Sequence, residues 1–267
     1  MNQQTFGKTY GGTAPENYER YFVPQIAAPL ADNLLEIAAL RPGERVLDVA
    51  CGTGIVARQA RQRVGDSASV AGLDVNPGML AAARSAVSPE FAIDWYESGA
   101  EAMPLADGAF DVALCQLGLQ FITNKLGALR EIRRVLAPGG RLVLNVPGPT
   151  PPLFAVMADA LAKHVDPRAA SFVHVVFSLH DEHELRELMS AAGFQEVNVQ
   201  IKPARLALPP TGFLWQYVYS TPLASRVGEA SDESRAALEH ELVHEWQAFE
   251  VDGSLMCDVN VTTVVGR

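Results

Sequence analysis

Two stretches of this 267-residue chain bring together side chains that could do chemistry. One is "VLDVACGTG", residues 46–54, in which an apolar run delivers the carboxylate of Asp48. A turn follows through Ala50, Cys51, Gly52, Thr53 and Gly54 and leads into a helical pattern. Glycines in such a turn let the backbone approach a ligand without a β-carbon in the way, and the free N–H groups of the helix start suit an anionic group. Asp74 ends the next apolar run, 22 residues after Gly52, where a carboxylate can accept hydrogen bonds from both hydroxyls of a ribose. The other stretch is His240-Glu241-Leu242-Val243-His244. On a helix it would place two imidazoles one turn apart, with Glu241 as a general base for a zinc hydrolase. The extended motif continues with a glycine and then a third histidine at three-residue steps, and this chain has Gln247 and Glu250 there. With Glu239, Glu241 and Glu245 alongside, the stretch reads as an exposed charged helix face, and no metal site is expected.

The glycine turn admits two ligands. "GTGIVA" fits the G-x-G-x-x-A form of the dinucleotide fingerprint, which would make the chain a nicotinamide-dependent oxidoreductase. Asp48 argues against that, because a pyrophosphate would bring two negative charges towards a fixed carboxylate. A ligand with an ammonium group and a sulfonium fits better, and S-adenosylmethionine has both.

The run Asp48 to Gly54 resembles the first motif of class I S-adenosylmethionine-dependent methyltransferases. The resemblance continues through "GLDVNPGML", "SGAEAMPLADGAFDVALC" and "EIRRVLAPGGRLVL", in order, over about residues 40–147. The nearest group is the small-molecule enzymes similar to ubiquinone and menaquinone C-methyltransferases. The resemblance implies that Asp48 and the turn Ala50, Cys51, Gly52, Thr53 and Gly54 cradle the methionine end of the cofactor. Asp74 would hold the ribose, Val75 and Met79 would flank the adenine, Ala100 and Glu101 would lie near its edge, and Gln116 beside the methionine moiety. Ala50 stands where many members have glycine. Gly99 stands where many carry an aspartate on the adenine amino group, so that contact falls to backbone or to Glu101. Tyr18, Tyr21 and Phe22 resemble the lid that closes over cofactor in this group. A cofactor-binding protein that no longer transfers methyl groups remains a further reading.

A sulfonium makes its methyl group electrophilic without a metal, so the protein's task is alignment and exclusion of water. A general base is needed only for a protonated acceptor, and no catalytic residue is legible. Four acceptor classes are argued against. The Asn/Asp-Pro-Pro-aromatic motif of amino-methylating nucleic-acid enzymes is replaced by "CQLGLQF", no cysteine follows a proline, acidic metal ligands are missing after the same strand, and thiols are not clustered. A small, apolar or aromatic acceptor methylated at O, N or C remains. Phe213, Trp215, Tyr217 and Tyr219 concentrate aromatic surface that forms either local core or a substrate pocket.

The elements that must hold these residues alternate. Short apolar runs at "RVLDVA", "ASVAGLDV", "FAIDWYE", "FDVALCQ" and "RLVLNV" are separated by helical patterns, which predicts βαβ units and a parallel sheet. The expected fold is α/β: a Rossmann-like, seven-stranded, mostly parallel sheet with helices on both faces, its last strand antiparallel. The expected organisation is an N-terminal helical lid over 1–40, interrupted near Pro24 and Pro29, then a cofactor-binding core over 41–148. A helical insert over 149–180, a core continuation over 181–208, a second helical insert over 209–252 and a final strand over 253–267 follow.

Hydrophobic content of 48% and charged content of 19% describe a soluble globular chain, and the net charge of −10 opposes nonspecific binding to nucleic acid. The arginines at 58, 61 and 63 and at 130, 133 and 134 fall in helical patterns and read as solvated faces. Three scattered cysteines, a start without a basic-then-apolar layout, and a longest uncharged run, Leu206 to Ser225, broken by Pro209, Pro210 and Pro222 point to the cytoplasm without an integral membrane segment. The partner expected is a small-molecule acceptor, with a homodimer left open.

Overall fold

Alternation of buried residues along β1 (Val46–Val49) explains how one short strand serves two faces. Successive side chains of a strand point to opposite sides. Val46 packs in the cluster that holds Leu34, Leu35, Val56 and Ala57, whereas Leu47 and Val49 join the core on the other face. Asp48 therefore faces the same side as Val46, at the carboxyl end of the strand.

The computed structural model describes residues 12–88 and 91–267. One helical run opens it: α1 (Ala14–Asn17), a π-helical stretch over Tyr18–Ala27, and α2 (Ala28–Ala38). The interruption expected at the prolines does not occur. Pro24 lies inside the π stretch and Pro29 in the first turn of α2. A proline has no N–H and crowds the carbonyl four residues back, and the widened π register absorbs that conflict.

After β1 come α3 (Ile55–Val64), β2 (Val70–Asp74), α4 (Pro77–Ser85), β3 (Asp94–Glu97) and β4 (Phe110–Gln116). Asn76 caps α4 by accepting from the Met79 N–H, and Pro77 occupies its first turn. Then follow α5 (Lys125–Val135), β5 (Leu136–Pro147), α6 (Pro152–His164), α7 (Pro167–Val176), α8 (Glu182–Ala191) and β6 (Asn198–Leu208). Three helices, α9 (Phe213–Tyr219), α10 (Leu223–Glu229) and α11 (Asp232–Trp246), precede β7 (Glu250–Val251) and β8 (Ser254–Gly266).

The main path of the sheet has the expected seven strands, in the order β3-β2-β1-β4-β5-β8-β6, and β7 adds a two-residue hairpin partner to β8. The pairings from β3 to β5 are parallel, and β8 runs antiparallel between β5 and β6. The chain leaves β1 towards β2 on one side and returns to β4 on the other. Ligands of open α/β sheets bind at the carboxyl ends of the strands at that reversal. A third core cluster, built from α6, α7, α9 and α11 with the inner residues of β6 and β8, stands beyond the sheet. Helices occupy most of 149–180 and of 209–252, the latter ending in β7.

Candidate active site

Asp48 and Asp74 end adjacent parallel strands, and both are sealed from solvent. The Asp48 carboxylate accepts a hydrogen bond from the Ala57 N–H, in the first turn of α3, at 3.0 Å. Burial, with Asp74 nearby adding to it, pushes the Asp48 carboxyl up to about 8. Asp74 accepts from the Gly52 N–H at 2.8 Å through one oxygen and from the Asn76 N–H at 2.9 Å through the other. Burial raises this carboxyl too, and the N–H groups of Asn76, Gly52 and Val75 pull it part of the way back. Each oxygen retains a lone pair for an outside donor.

The turn between them is shaped by positive φ angles at Ala50 (55°), Gly52 (54°) and Gly54 (83°). Ala50 thus holds a backbone conformation that favours glycine. A β-carbon at Gly54 would strike the Trp95 ring, so that position is restricted by packing as well. Cys51 is buried, and burial with Asp48 and Asp74 lifts its thiol well above the ordinary value, which suits packing and not nucleophilic attack. Thr53 is buried with its hydroxyl oxygen unpartnered.

Three cavities adjoin here. The largest, about 330 Å³, is lined by Asp74, Val75 and Met79 after β2, by Gly99, Ala100 and Glu101 after β3, and by Gln116 at the end of β4. A β-carbon added at Gly99 would sit 2.9 Å from Glu101 Oε2, so the Glu101 carboxylate occupies the space that a residue-99 side chain would enter. A small cavity of about 30 Å³ is bounded by Asp48, Ala50, Cys51, Gly52 and Gln116. Gln116 Nε2 donates to the Ala27 carbonyl of the N-terminal helix at 2.8 Å, and its Oε1 is buried without a partner. The third cavity, about 80 Å³, is walled by aromatic and aliphatic side chains including Phe22, Phe154 and Tyr217.

Tyr18 and Leu117 belong to the walls of all three. Tyr18 stacks on Phe22 with ring centroids 4.4 Å apart. Tyr21 instead lies under Arg20, 5.2 Å from guanidinium to ring centre, away from the cavities' walls. Thr53 is likewise outside those walls. Leu117 was not legible as a site residue. It has a φ of 51°, held by N–H donation to Asn145 O and Oδ1 at 3.0 and 3.2 Å. Strained non-glycine residues gather at functional sites. The sequence signal was Leu117-Gly118 directly after a buried strand: a β-carbon at Gly118 would sit 2.6 Å from that of Ala50.

The histidine pair of α11 lies elsewhere. His240 and His244 are exposed, and Glu241 is held by Lys163 and by His164 Nε2 at 2.7 Å. Among the described residues no three His, Cys, Asp or Glu side chains are grouped to hold a metal ion.

Residues 25–204, two thirds of the chain, match the ubiE/COQ5 methyltransferase family. The chain belongs to that family. Its relatives include ubiquinone/menaquinone biosynthesis C-methyltransferases of Shewanella frigidimarina, 34% identical over 61% of this chain and 71% of the relative, and of Pectobacterium atrosepticum, 35% identical over the same shares. Among solved structures it is similar in fold to phosphoethanolamine N-methyltransferase 2 of Haemonchus contortus in complex with S-adenosyl-L-methionine. There the TM-score is 0.59 and the identity 19%, over 96% of this chain and 57% of that one. The [4+2]-cyclase SpnF gives a TM-score of 0.54 at 21% identity over 91% and 82%. As a ubiE/COQ5-family protein the chain is an S-adenosylmethionine-dependent methyltransferase acting on a small molecule. Among the described residues no helix is long and apolar enough to cross a membrane.

Proposed function

We propose that the three adjoining cavities divide the substrates among themselves, and that the methyl group passes where their walls meet, at Tyr18 and Leu117. That shared wall is the observation that carries the reading. The cofactor's amino-acid end would lie in the small cavity against Asp48, the Ala50–Gly54 turn and Gln116. Asp74 would take the ribose hydroxyls, Val75 and Met79 would pack on the adenine, and Ala100 and Glu101 would meet its edge. The unpartnered Gln116 Oε1 and the Asp48 carboxyl, which an arriving cation would ionise, both suit an incoming ammonium. Bound there, the cofactor supplies a methyl group made electrophilic by its sulfonium.

The apolar cavity would take the acceptor. Among the described residues that line it, neither a carboxylate nor an imidazole occurs. The protein's work is therefore to place the acceptor atom in line and to keep water out, with Tyr18 and Phe22 closing the site. We place the run from residue 14 to 40, and the helices of 149–180 and 209–252, as its cover. The relatives are named C-methyltransferases, which supports a carbon as the acceptor atom. The net charge of −10 and the three buried, unpaired cysteines favour a cytoplasmic enzyme for small molecules over one for nucleic acid, and a homodimer is compatible with this reading.

A crystal structure with S-adenosylhomocysteine tests the assignment. Its electron density should run from Asp48 past Leu117 to Glu101. Ligand lodged elsewhere, or a dinucleotide pyrophosphate beside Asp48 in crystals grown with NAD, would refute it. Methyl incorporation from labelled cofactor into single-ring aromatic acceptors would then separate an enzyme from a non-transferring binder.

A further inference from the structure

One polar side chain in the acceptor cavity is left unanswered by the protein. Gln120 lies in the single helical turn Leu119–Phe121 after β4 and is 1% exposed. Its Nε2 donates to the Leu117 carbonyl at 2.9 Å, which fixes the orientation of the amide, and its Oε1 is buried without a partner. Buried polar atoms are almost always paired, and an exception beside a cavity points to a missing ligand atom. Gln120 lines the cavity itself. Two other polar groups of the wall are not equivalent. Thr221 donates its hydroxyl hydrogen to the Val218 carbonyl, and burial pushes the Cys257 thiol up to about 12. Phe22, Phe154, Phe172 and Val259 make much of the remaining wall apolar.

Size limits the occupant as well. The cavity has about 80 Å³, whereas an apolar cavity of about 150 Å³ takes a benzene ring. A single ring would therefore extend from it across the Tyr18–Phe121 boundary that it shares with the larger cavity.

Resting on the reading above, we propose that Gln120 Oε1 reads the methyl acceptor: a compact, uncharged, largely apolar molecule that carries one O–H or N–H donor. A buried acceptor oxygen discriminates strongly in this way, because an analogue lacking the donor leaves it unpaired. Gln120 is a specificity residue and takes no part in bond making.

Phenol and toluene are nearly the same shape and differ in the donor. Ligand-detected NMR titrations of both, with the protein saturated by S-adenosylhomocysteine, should give a phenol-to-toluene affinity ratio that falls about tenfold in Gln120→Met, whose side chain keeps the length but loses the amide. In the wild-type protein phenol, and not toluene, should shift the Gln120 side-chain amide resonance. That measurement decides the matter if the variant does not fold. A ratio that moves by less than threefold, an unmoved amide resonance, or failure of phenol to bind would overturn the proposal. Failure of S-adenosylhomocysteine itself to bind the wild-type protein would refute the cofactor assignment instead, so the two are distinguishable.

Discussion

Asp48 shows why a carboxylate is tolerated in a strand whose every residue is buried. Ionised and alone it would be costly, so with no cation beside it the carboxyl stays protonated up to about pH 8. An ammonium group arriving in the small cavity favours the ionised form, so binding releases a proton. Affinity for S-adenosylhomocysteine should therefore rise with pH between 6 and 8, by up to about tenfold per unit, and level off above. Calorimetry across that range measures it. Asp48→Asn should bind more weakly and lose the slope, and a flat wild-type profile would contradict the role. At the adenine end, Glu101 fills the space beside Gly99. Gly99→Asp should lose affinity by crowding and like charge, and Glu101→Ala by losing the contact. The double substitution should recover, with a coupling of about 1 kcal/mol or more in the cycle. Purely additive losses would remove Glu101 from the site.

Among the elements, the junction after β4 is set by packing rather than by propensity. Leu117 holds a positive φ, and Gly118 has no room for a side chain against Ala50. Gly118→Ala should lower stability by roughly 1–3 kcal/mol in urea unfolding and weaken cofactor binding, because relief of the clash moves the Ala50 turn. An unchanged midpoint would show that the turn yields freely. Strand and helix order was legible because buried parallel strands and amphipathic helices impose their own periods. The continuity of the N-terminal helix was not, since proline spacing cannot show that a π register will absorb it. Nor was the work of the arginines, read as solvated faces. Arg61 is buried against the Gly65 carbonyl and Asp66, Arg58 pairs with Glu19 of the N-terminal helix, and Arg134 binds the Met103 and Leu105 carbonyls. Charge pattern along one helix does not reveal which carbonyls lie across from it. The α11 histidines, read from sequence as an exposed face, show the same limit: five letters give a spacing, while the partners of Glu241, Lys163 and His164, belong to tertiary structure.

Across the whole molecule, the sheet brings residues from β1, β2, β3 and β4 to one crevice, while the third core cluster sets a wall of helices opposite. The glycine turn and the two strand-borne carboxylates were legible because such a turn must be short and glycine-rich and because Asp48 and Asp74 stand out in buried strands. The apolar cavity was not, because its wall is made of residues that any helical core would contain. A ligand that spans the crevice should stabilise the fold as a unit. S-adenosylhomocysteine at a hundredfold over its Kd adds about 2.7 kcal/mol, or roughly 5–10 °C in Tm for a domain of this size. NAD at the same concentration should leave Tm unmoved. The most direct test is calorimetric titration of wild-type protein and Asp74→Ala with S-adenosylhomocysteine. Tight one-to-one binding that weakens by tenfold or more in the variant is predicted, and equal affinity for the two proteins would contradict the assignment of the crevice.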